Sequence, residues 1–479
     1  MRELKKITVT NHRYRLGYHI MPDSGWINDP NGFSFFKGYY HLFYQHYPYK
    51  AEWGPMHWGH ARSKDLVHWE TFPIALFPGD PEDKDGCFSG SAVVFHEKLY
   101  LIYTGHHYAD KNDPDHFWEN QNLAYSSDGI HFEKYEGNPI ISAPPADNTQ
   151  HFRDPKVWQE DDHFNLVLGS QGENGLGRLL LYRSNDLKSW DYMGPLAQSR
   201  SLKEEGFMWE CPDFFTFNGK DILLISPQGI QSTQTRFKNL YQTGYFIGHY
   251  HDKINQFDHG TFRELDSGHD FYATQTMIAP DGRRILIGWM AMWESQMPEK
   301  EDGWAGALTF PREITLRNNH IYMFPVRELR YLRKEQFINE SLDVSRERTI
   351  NFDGCPYLEA DLVYKRNAEQ EVGLILSDTK GPKLSVTFIE MEKGKTKVNL
   401  NRMGNDGTRE ATVHVNENLK IKLLLDKSSV EIFINEGEAT FTERIYFENS
   451  PFLKVFSRGD NTLINIKVTK LENNAIQYL

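Results

Sequence analysis

Five segments of this chain repeat one layout: a polar residue, a short apolar strand, a polar turn, and a second strand rich in β-branched and aromatic residues. They start at Asp29, Ser89, Asp154, Glu210 and Tyr272, so successive starts lie 60, 65, 56 and 62 residues apart. The turns are Lys37-Gly38, Glu97-Lys98, Asp161-Asp162, Asn218-Gly219 and Asp281-Gly282. A second echo falls later in the units, in 63–69, 126–132 and 184–190, each opening Ser-x-Asp and closing on an aromatic residue. Self-similarity at this period, with about four strands per unit and almost no helical periodicity, predicts a five-bladed β-propeller. The innermost strand of each blade starts beside the central channel, so residues equivalent within the repeat converge in space. Asp29, Asp154 and Glu210 read as equivalent positions, which predicts three carboxylates crowded into one funnel.

Asp29 sits in Gly25-Trp-Ile-Asn-Asp-Pro-Asn-Gly32. Proline presets φ and glycine tolerates positive φ, so Asp-Pro-Asn-Gly predicts a tight turn that holds Asp29 at its head. Glu210 lies between Trp209 and Cys211-Pro212 at the mouth of an apolar strand, where desolvation and two neighbouring carboxylates are expected to raise its pKa. Residues 1 to 20 read as an arm, with His12, Tyr14 and Tyr18 packing on the propeller. After Phe310-Pro-Arg-Glu313 the repeat stops, and the helical spacing of Phe324, Val326, Leu329 and Leu332 predicts a short helical connector. Beyond it, short alternating strands such as 383–389, 420–425, 430–434 and 452–456 predict a β-sandwich without a polar cluster of its own. The expected organisation is therefore all-β: a propeller over 1–325, a helical linker over 326–340, and a C-terminal β-sandwich over 341–479.

A chain of 479 residues accommodates both units. The net charge of −13 argues against a nucleic-acid or anionic-membrane partner. Aromatic residues at 14% suit strand cores and stacking on sugar rings. The N-terminal ten residues hold no apolar core and no stretch approaches a membrane span, so a cytoplasmic protein is expected. Cys87, Cys211 and Cys355 are odd in number and far apart, which argues against disulfides. The 20 histidines form no metal-ligand motif, so neither metal nor cofactor is expected. A monomer, or a homo-oligomer through the sandwich, is expected.

Two carboxyl groups flanking one bond, one ionised and one protonated, equip a site for glycoside hydrolysis. Asp29, beside Asn28, suits the nucleophile; Glu210 suits the proton donor; Asp154 is left to hydrogen-bond sugar hydroxyls as oxocarbenium character develops. Direct attack by Asp29 predicts retention of configuration and carboxyl groups about 5 to 5.5 Å apart.

The blocks Trp26-Ile-Asn-Asp-Pro-Asn-Gly32, Phe88-Ser-Gly90, Phe152-Arg-Asp-Pro155, Glu210-Cys-Pro212 and Asp270-Phe-Tyr-Ala273, in this order, resemble the signature set of glycoside hydrolase family 32, over nearly the whole chain. That resemblance implies a five-bladed propeller with a β-sandwich and cleavage of β-D-fructofuranosides with retention. It implies Asp29 as nucleophile, Asp154 as transition-state stabiliser and Glu210 as acid/base. It further implies that Asn28, Gln45, Trp53, Phe88, Ser89, Arg153 and Tyr272 hold the fructosyl unit, with Trp289 or Trp293 bordering it. Met208-Trp-Glu-Cys-Pro-Asp213, Ser226-Pro-Gln-Gly229 and Tyr241-Gln-Thr-Gly-Tyr-Phe246 are most similar to the bacterial branch that cleaves sucrose 6-phosphate, and sucrose with it. A phosphate needs cationic or amide donors at the rim, for which Arg178, Arg236, Lys238 and Lys300 are candidates. The alternatives are an exo-acting fructan hydrolase, a sugar-binding propeller without turnover, and an inverting arabinan-cleaving relative.

Overall fold

The computed structural model describes residues 5–365, 371–392, 394–404, 407–415, 417–459 and 461–479. Alternating strand sequences and tight turns pair each unit into an antiparallel sheet, giving five blades. The first blade holds Gly25–Phe36, Tyr39–Tyr47, His57–Ser63 and Trp69–Leu76. The second, third, fourth and fifth open on the inner strands Gly86–Phe95, Asn148–Glu160, Met208–Phe217 and Tyr272–Ile278. Apolar side chains on facing sheets fill the wedges between blades, as where Val167, Leu179 and Leu181 pack against Trp209 and Phe246.

The Ser-x-Asp echo is a turn between the third and fourth strands. Asp65, Asp128 and Asp186 each accept two backbone N–H groups through one carboxylate oxygen, at 2.8 to 3.1 Å, and each takes a hydroxyl bond from the serine two residues earlier. This satisfies turn donors that no strand can reach.

The ring is closed on the first blade from both sides. Trp304–Ala305 pairs in parallel with its inner strand, and Ile476–Tyr478 pairs in parallel with its outer strand. The C-terminal residues therefore leave the sandwich and return to the propeller, which sequence alternation over 341–479 does not separate.

The helical connector is shorter than the spacing predicts. A 3-10 turn covers Arg327–Leu332 and buries Leu329 and Leu332; from Arg333 the chain is already strand Arg333–Val344, paired with Thr462–Leu471. Ladder hydrogen bonds to that partner outweigh the local helical pattern after one turn. Beyond it lie two six-stranded antiparallel sheets, packed face to face around an apolar core that includes Leu362, Val386, Leu423 and Val455. No helix of the described residues is long and apolar enough to cross a membrane.

The two units share a buried polar seam. His19 of the N-terminal arm bridges Asp426 and Glu431 of the sandwich at 2.7 Å each, and Glu431 also binds Arg312 at 2.5 Å. Asp426 accepts the backbone N–H groups of Gly17, Tyr18 and His19. Burial pulls the His19 imidazole down, but the two carboxylates outweigh it and carry it up to about 9.

Candidate active site

Asp-Pro-Asn-Gly does not open a hairpin; it lies inside the strand Gly25–Phe36, which bulges twice against its neighbour, between Ile27 and Pro30 and between Asn31 and Ser34. The turn preferences of Pro30 and of Gly32, at φ 54°, are spent on those bulges. The strand runs through the centre of the molecule, and other blades supply the partners its own ladder leaves out. Phe33 N–H donates to the Gln275 side chain at 2.9 Å, and the Asn31 side chain accepts Gly90 N–H at 3.0 Å.

Every inner strand breaks its ladder at this level: around Asn28-Asp29, Ser89, Asp154-Pro155, Cys211-Pro212 and Ala273-Thr274. Asp154, Cys211 and Ala273 take left-handed φ of 63°, 48° and 53°, an unfavourable region for these residues that concentrates at functional sites. Two residues further on, Asn31, Ser91, Lys156, Asp213 and Gln275 tie inner strands together, as in Ser91 to Pro155 O at 2.7 Å and Lys156 to Asp213 at 2.9 Å between neighbours, and Gln275 to Gly90 O at 2.9 Å across the first blade. These ties establish the register. Asp29, Ser89, Asp154, Cys211 and Ala273 are equivalent, and Glu210 is not: it stands one residue earlier, level with Asn28, Phe88, Arg153 and Tyr272. The proline that follows Asp29, Asp154 and Cys211 carried that signal in the sequence.

The three acids nevertheless converge. Asp29 accepts the Ser89 hydroxyl at 2.6 Å on one oxygen and the Asn28 amide at 2.9 Å on the other, and Asn28 is itself oriented by the Trp26 indole N–H at 2.7 Å. Asp154 accepts Cys211 N–H at 2.9 Å. The Cys211 sulfur lies 3.6 Å from an oxygen of Asp29 and 3.6 Å from one of Asp154, so those oxygens are within twice that distance of each other. Burial, with the acids adding, pushes the Cys211 thiol well up; it stays protonated and acts as a donor.

Glu210 is gripped from both sides. One oxygen takes Nε and a terminal nitrogen of Arg153 at 3.1 and 2.8 Å; the other takes the Tyr272 hydroxyl at 2.5 Å. Arg153 is braced behind by His151 Nδ1 at 2.9 Å and Glu119 at 3.5 Å. Burial, and next the Arg153 charge, take His151 down to about 4, so it is neutral and accepts. Burial pushes Asp154 up to about 8, with Glu210 and Asp29 adding and Arg153 opposing. Burial also moves Asp29 upward, against the Ser89 and Asn28 hydrogen bonds. The proton of this cluster is thus drawn to Asp154, while donors aimed at Asp29 favour its charge.

Gln45 is buried and donates to Cys87 O at 3.1 Å. Phe88 lies flat on His106 with centroids 4.1 Å apart, and the exposed Trp53 meets Phe88 edge-on at 5.9 Å, forming one side of the rim. Trp289 does not belong to the rim: it has no exposed surface and is wedged between Trp26 and Trp293. Its place in the second strand of the fifth blade, opposite Tyr272, turns it into the core. Trp293 is partly exposed and stacks on Trp26 at 6.1 Å. Arg178 is not a free rim cation either, because Asp147 binds it bidentately at 2.8 and 2.9 Å. Arg236 pairs with Glu264 at 3.2 Å. Lys238 is exposed on the same loop as Arg236, and Lys300 stands over the Trp26 ring at 5.4 Å. Sequence reasoning missed Glu119, which has no local signature and becomes relevant only through Arg153.

Two sequence profiles cover this architecture: the glycosyl hydrolases family 32 N-terminal domain matches residues 19–325, and the family 32 C-terminal domain matches residues 328–470. The chain belongs to glycosyl hydrolase family 32. Among family 32 relatives, a sucrose-6-phosphate hydrolase of Zymomonas mobilis is 44% identical over 88% of this chain and 84% of its own. A solved β-fructofuranosidase of Bombyx mori superposes with a TM-score of 0.87 at 42% identity, covering 98% of this chain and 96% of that one; a variant of it has been solved with sucrose. A solved sucrose-6-phosphate hydrolase of Lactobacillus gasseri gives 0.85 at 30% identity over 96% and 94%.

Proposed function

We propose that this family 32 protein is a retaining β-fructofuranosidase that hydrolyses sucrose 6-phosphate and sucrose. The observation that carries this reading is the differential treatment of two carboxyl groups in one pit. Asp29 receives neutral donors that leave its lone pairs directed and its charge exposed to a substrate carbon. Glu210 is held by a guanidinium and a phenol that orient its carboxyl group toward a leaving oxygen. Similarity to sucrose-6-phosphate hydrolases and to a β-fructofuranosidase solved with sucrose supports the substrate.

In this mechanism substrate binding moves the cluster's proton from Asp154 to Glu210; Asp29 then attacks the anomeric carbon of the fructosyl unit as Glu210 protonates the glycosidic oxygen, and the glucosyl half departs. Water then attacks the fructosyl ester of Asp29, and Glu210 takes its proton back. Asp154 accepts hydrogen bonds from sugar hydroxyls, and these strengthen as positive charge develops on the ring. Asn28, Ser89, Gln45, Trp53 and Phe88 shape the fructosyl subsite, with Trp293, rather than its alternative Trp289, at the border. No cofactor enters. A sugar phosphate does not cross membranes unaided, so the working compartment proposed is the cytoplasm. Lys300, standing over Trp26, is proposed to receive the phosphate.

Proton NMR of the first fructose anomer released from sucrose tests the stereochemistry: β-fructofuranose is expected, and prompt release of the α-anomer would remove the nucleophile from the scheme. The ratio of kcat/KM for the phosphorylated and plain disaccharides tests the substrate. Lys300→Gln is expected to lower that ratio by raising KM for the phosphate ester alone; equal effects on both sugars would reassign the phosphate site.

A further inference from the structure

The segment that carries Tyr272 is bound along the edge of the sandwich as much as to its own blade. Ser267 N–H and Asp270 N–H donate to the carbonyls of Thr440 and Thr442 at 2.8 and 3.1 Å, so residues 267–270 run along the strand Ala439–Arg444. His269 N–H donates to Glu443 at 3.0 Å, and the His269 ring contacts the same carboxylate at 2.9 Å. Asp270 is fully buried; one oxygen accepts Ser295 Oγ at 2.9 Å, and the other accepts Arg444 N–H at 2.8 Å and the Arg402 guanidinium. Arg402 ends the strand Lys395–Arg402 of the opposite sandwich sheet and also faces Glu443 at 3.4 Å. Burial alone would raise Asp270, yet Arg402 and the Arg444 amide hold it below the usual carboxylate range.

We propose that Arg402, contributed by the C-terminal sandwich, is a positioning residue for the proton donor: by joining Asp270 and Glu443 it clamps residues 269–270, and so keeps the Tyr272 hydroxyl on Glu210. The same carboxylate holds Ser295, two residues past the rim tryptophan Trp293, so one guanidinium steadies both the donor side and the edge of the pit. One terminal nitrogen of Arg402 faces both acids and also donates to Arg444 O at 3.1 Å, so a single charged donor serves the two carboxylates at once. This inference rests on the assignment of Glu210 as acid/base, and its test separates the two.

Arg402→Gln, Arg402→Lys and the charge-matched double variant Asp270→Asn/Arg402→Gln are compared with Glu210→Gln on sucrose and on 4-nitrophenyl β-D-fructofuranoside, whose phenolate departs without protonation. The double variant removes the Asp270 charge together with that of Arg402 and leaves Glu443 on His269 at 2.9 Å, and so guards against loss of folding. Positioned general acids contribute about 10²- to 10⁴-fold, so loosening one is expected to cost about tenfold in kcat on sucrose. KM should stay near the wild-type value, and the nitrophenyl substrate should be nearly unaffected, in Arg402→Gln and in the double variant. Arg402→Lys should recover most of the rate. Equal losses on both substrates, or full activity in folded Arg402→Gln, would overturn the role of Arg402 if Glu210→Gln shows the leaving-group dependence. If Glu210→Gln lacks that dependence, the assignment of Glu210 falls, and this proposal falls with it.

Discussion

Replacing Asp154 by asparagine tests the electrostatics of the pit independently of catalysis. The folded protein holds the Asp154 carboxyl up to about 8, from an ordinary value of 3.8, because the group is buried beside Glu210 and Asp29. Between those limits the folded state keeps a proton that the unfolded chain has released, so the stability of the wild type falls as pH rises through the window from about 4 to about 8. Each tenfold difference in proton affinity is worth about 1.4 kcal/mol, and roughly three such factors lie between the ordinary value and pH 7, which gives a penalty of order 4 kcal/mol at that pH. The asparagine side chain is nearly isosteric with aspartate, keeps an oxygen for Cys211 N–H, and carries no charge at any pH. The variant Asp154→Asn is therefore expected to match the wild type near pH 4, to gain stability over it as pH rises, and to level off above pH 8, while losing hydrolytic activity throughout. Calorimetric scans at a fixed rate, at intervals from pH 4 to pH 9, measure the gap. A gap that is constant with pH, or that widens toward acid, would show that Asp154 does not carry the proton of the cluster and would refute the reasoning.

Three further outcomes are expected. Tyr272→Phe removes the hydroxyl on Glu210, and kcat on sucrose should fall about tenfold with little change in KM, since a general acid works only when held in place; an unchanged kcat would remove Tyr272 from the site. His19, raised to about 9 between Asp426 and Glu431, contributes stability that is fully present below pH 6.5 and lost as pH rises through 9. His19→Gln should therefore cost about 3 kcal/mol at pH 6 and progressively less as pH rises from 6.5 to 9 in unfolding measurements; a cost that grows with pH would contradict the assignment. Gly268→Ala would place a Cβ 2.3 Å from backbone N and O of Thr442, forcing the Tyr272 segment off the sandwich edge. Crystallography of that variant should show residues 267–270 displaced; an undisturbed seam would argue that the contact is slack.

The sequence alone determined the architecture and singled out the three acids that the fold brings together, because both are written locally. A period near sixty residues needs only strand and turn preferences inside each unit, and the unit starts point to Asp29 and Asp154, and to Glu210 within one residue of the same level. The sandwich was legible for the same reason, in alternation along each strand. What the tertiary structure alone decided is where those local patterns meet neighbours distant in the chain. The bulges moved Glu210 one residue out of the register of the two aspartates, because the ties between inner strands, not the spacing of starts, fix which residues are level. Strand pairing turned Trp289 inward, Asp147 claimed Arg178, and the C-terminal strand returned to the first blade. A linear pattern specifies which face of a strand is apolar, but ion pairs, bulge register and shared edges depend on contacts between residues tens to hundreds of positions apart, and only the folded chain brings those together.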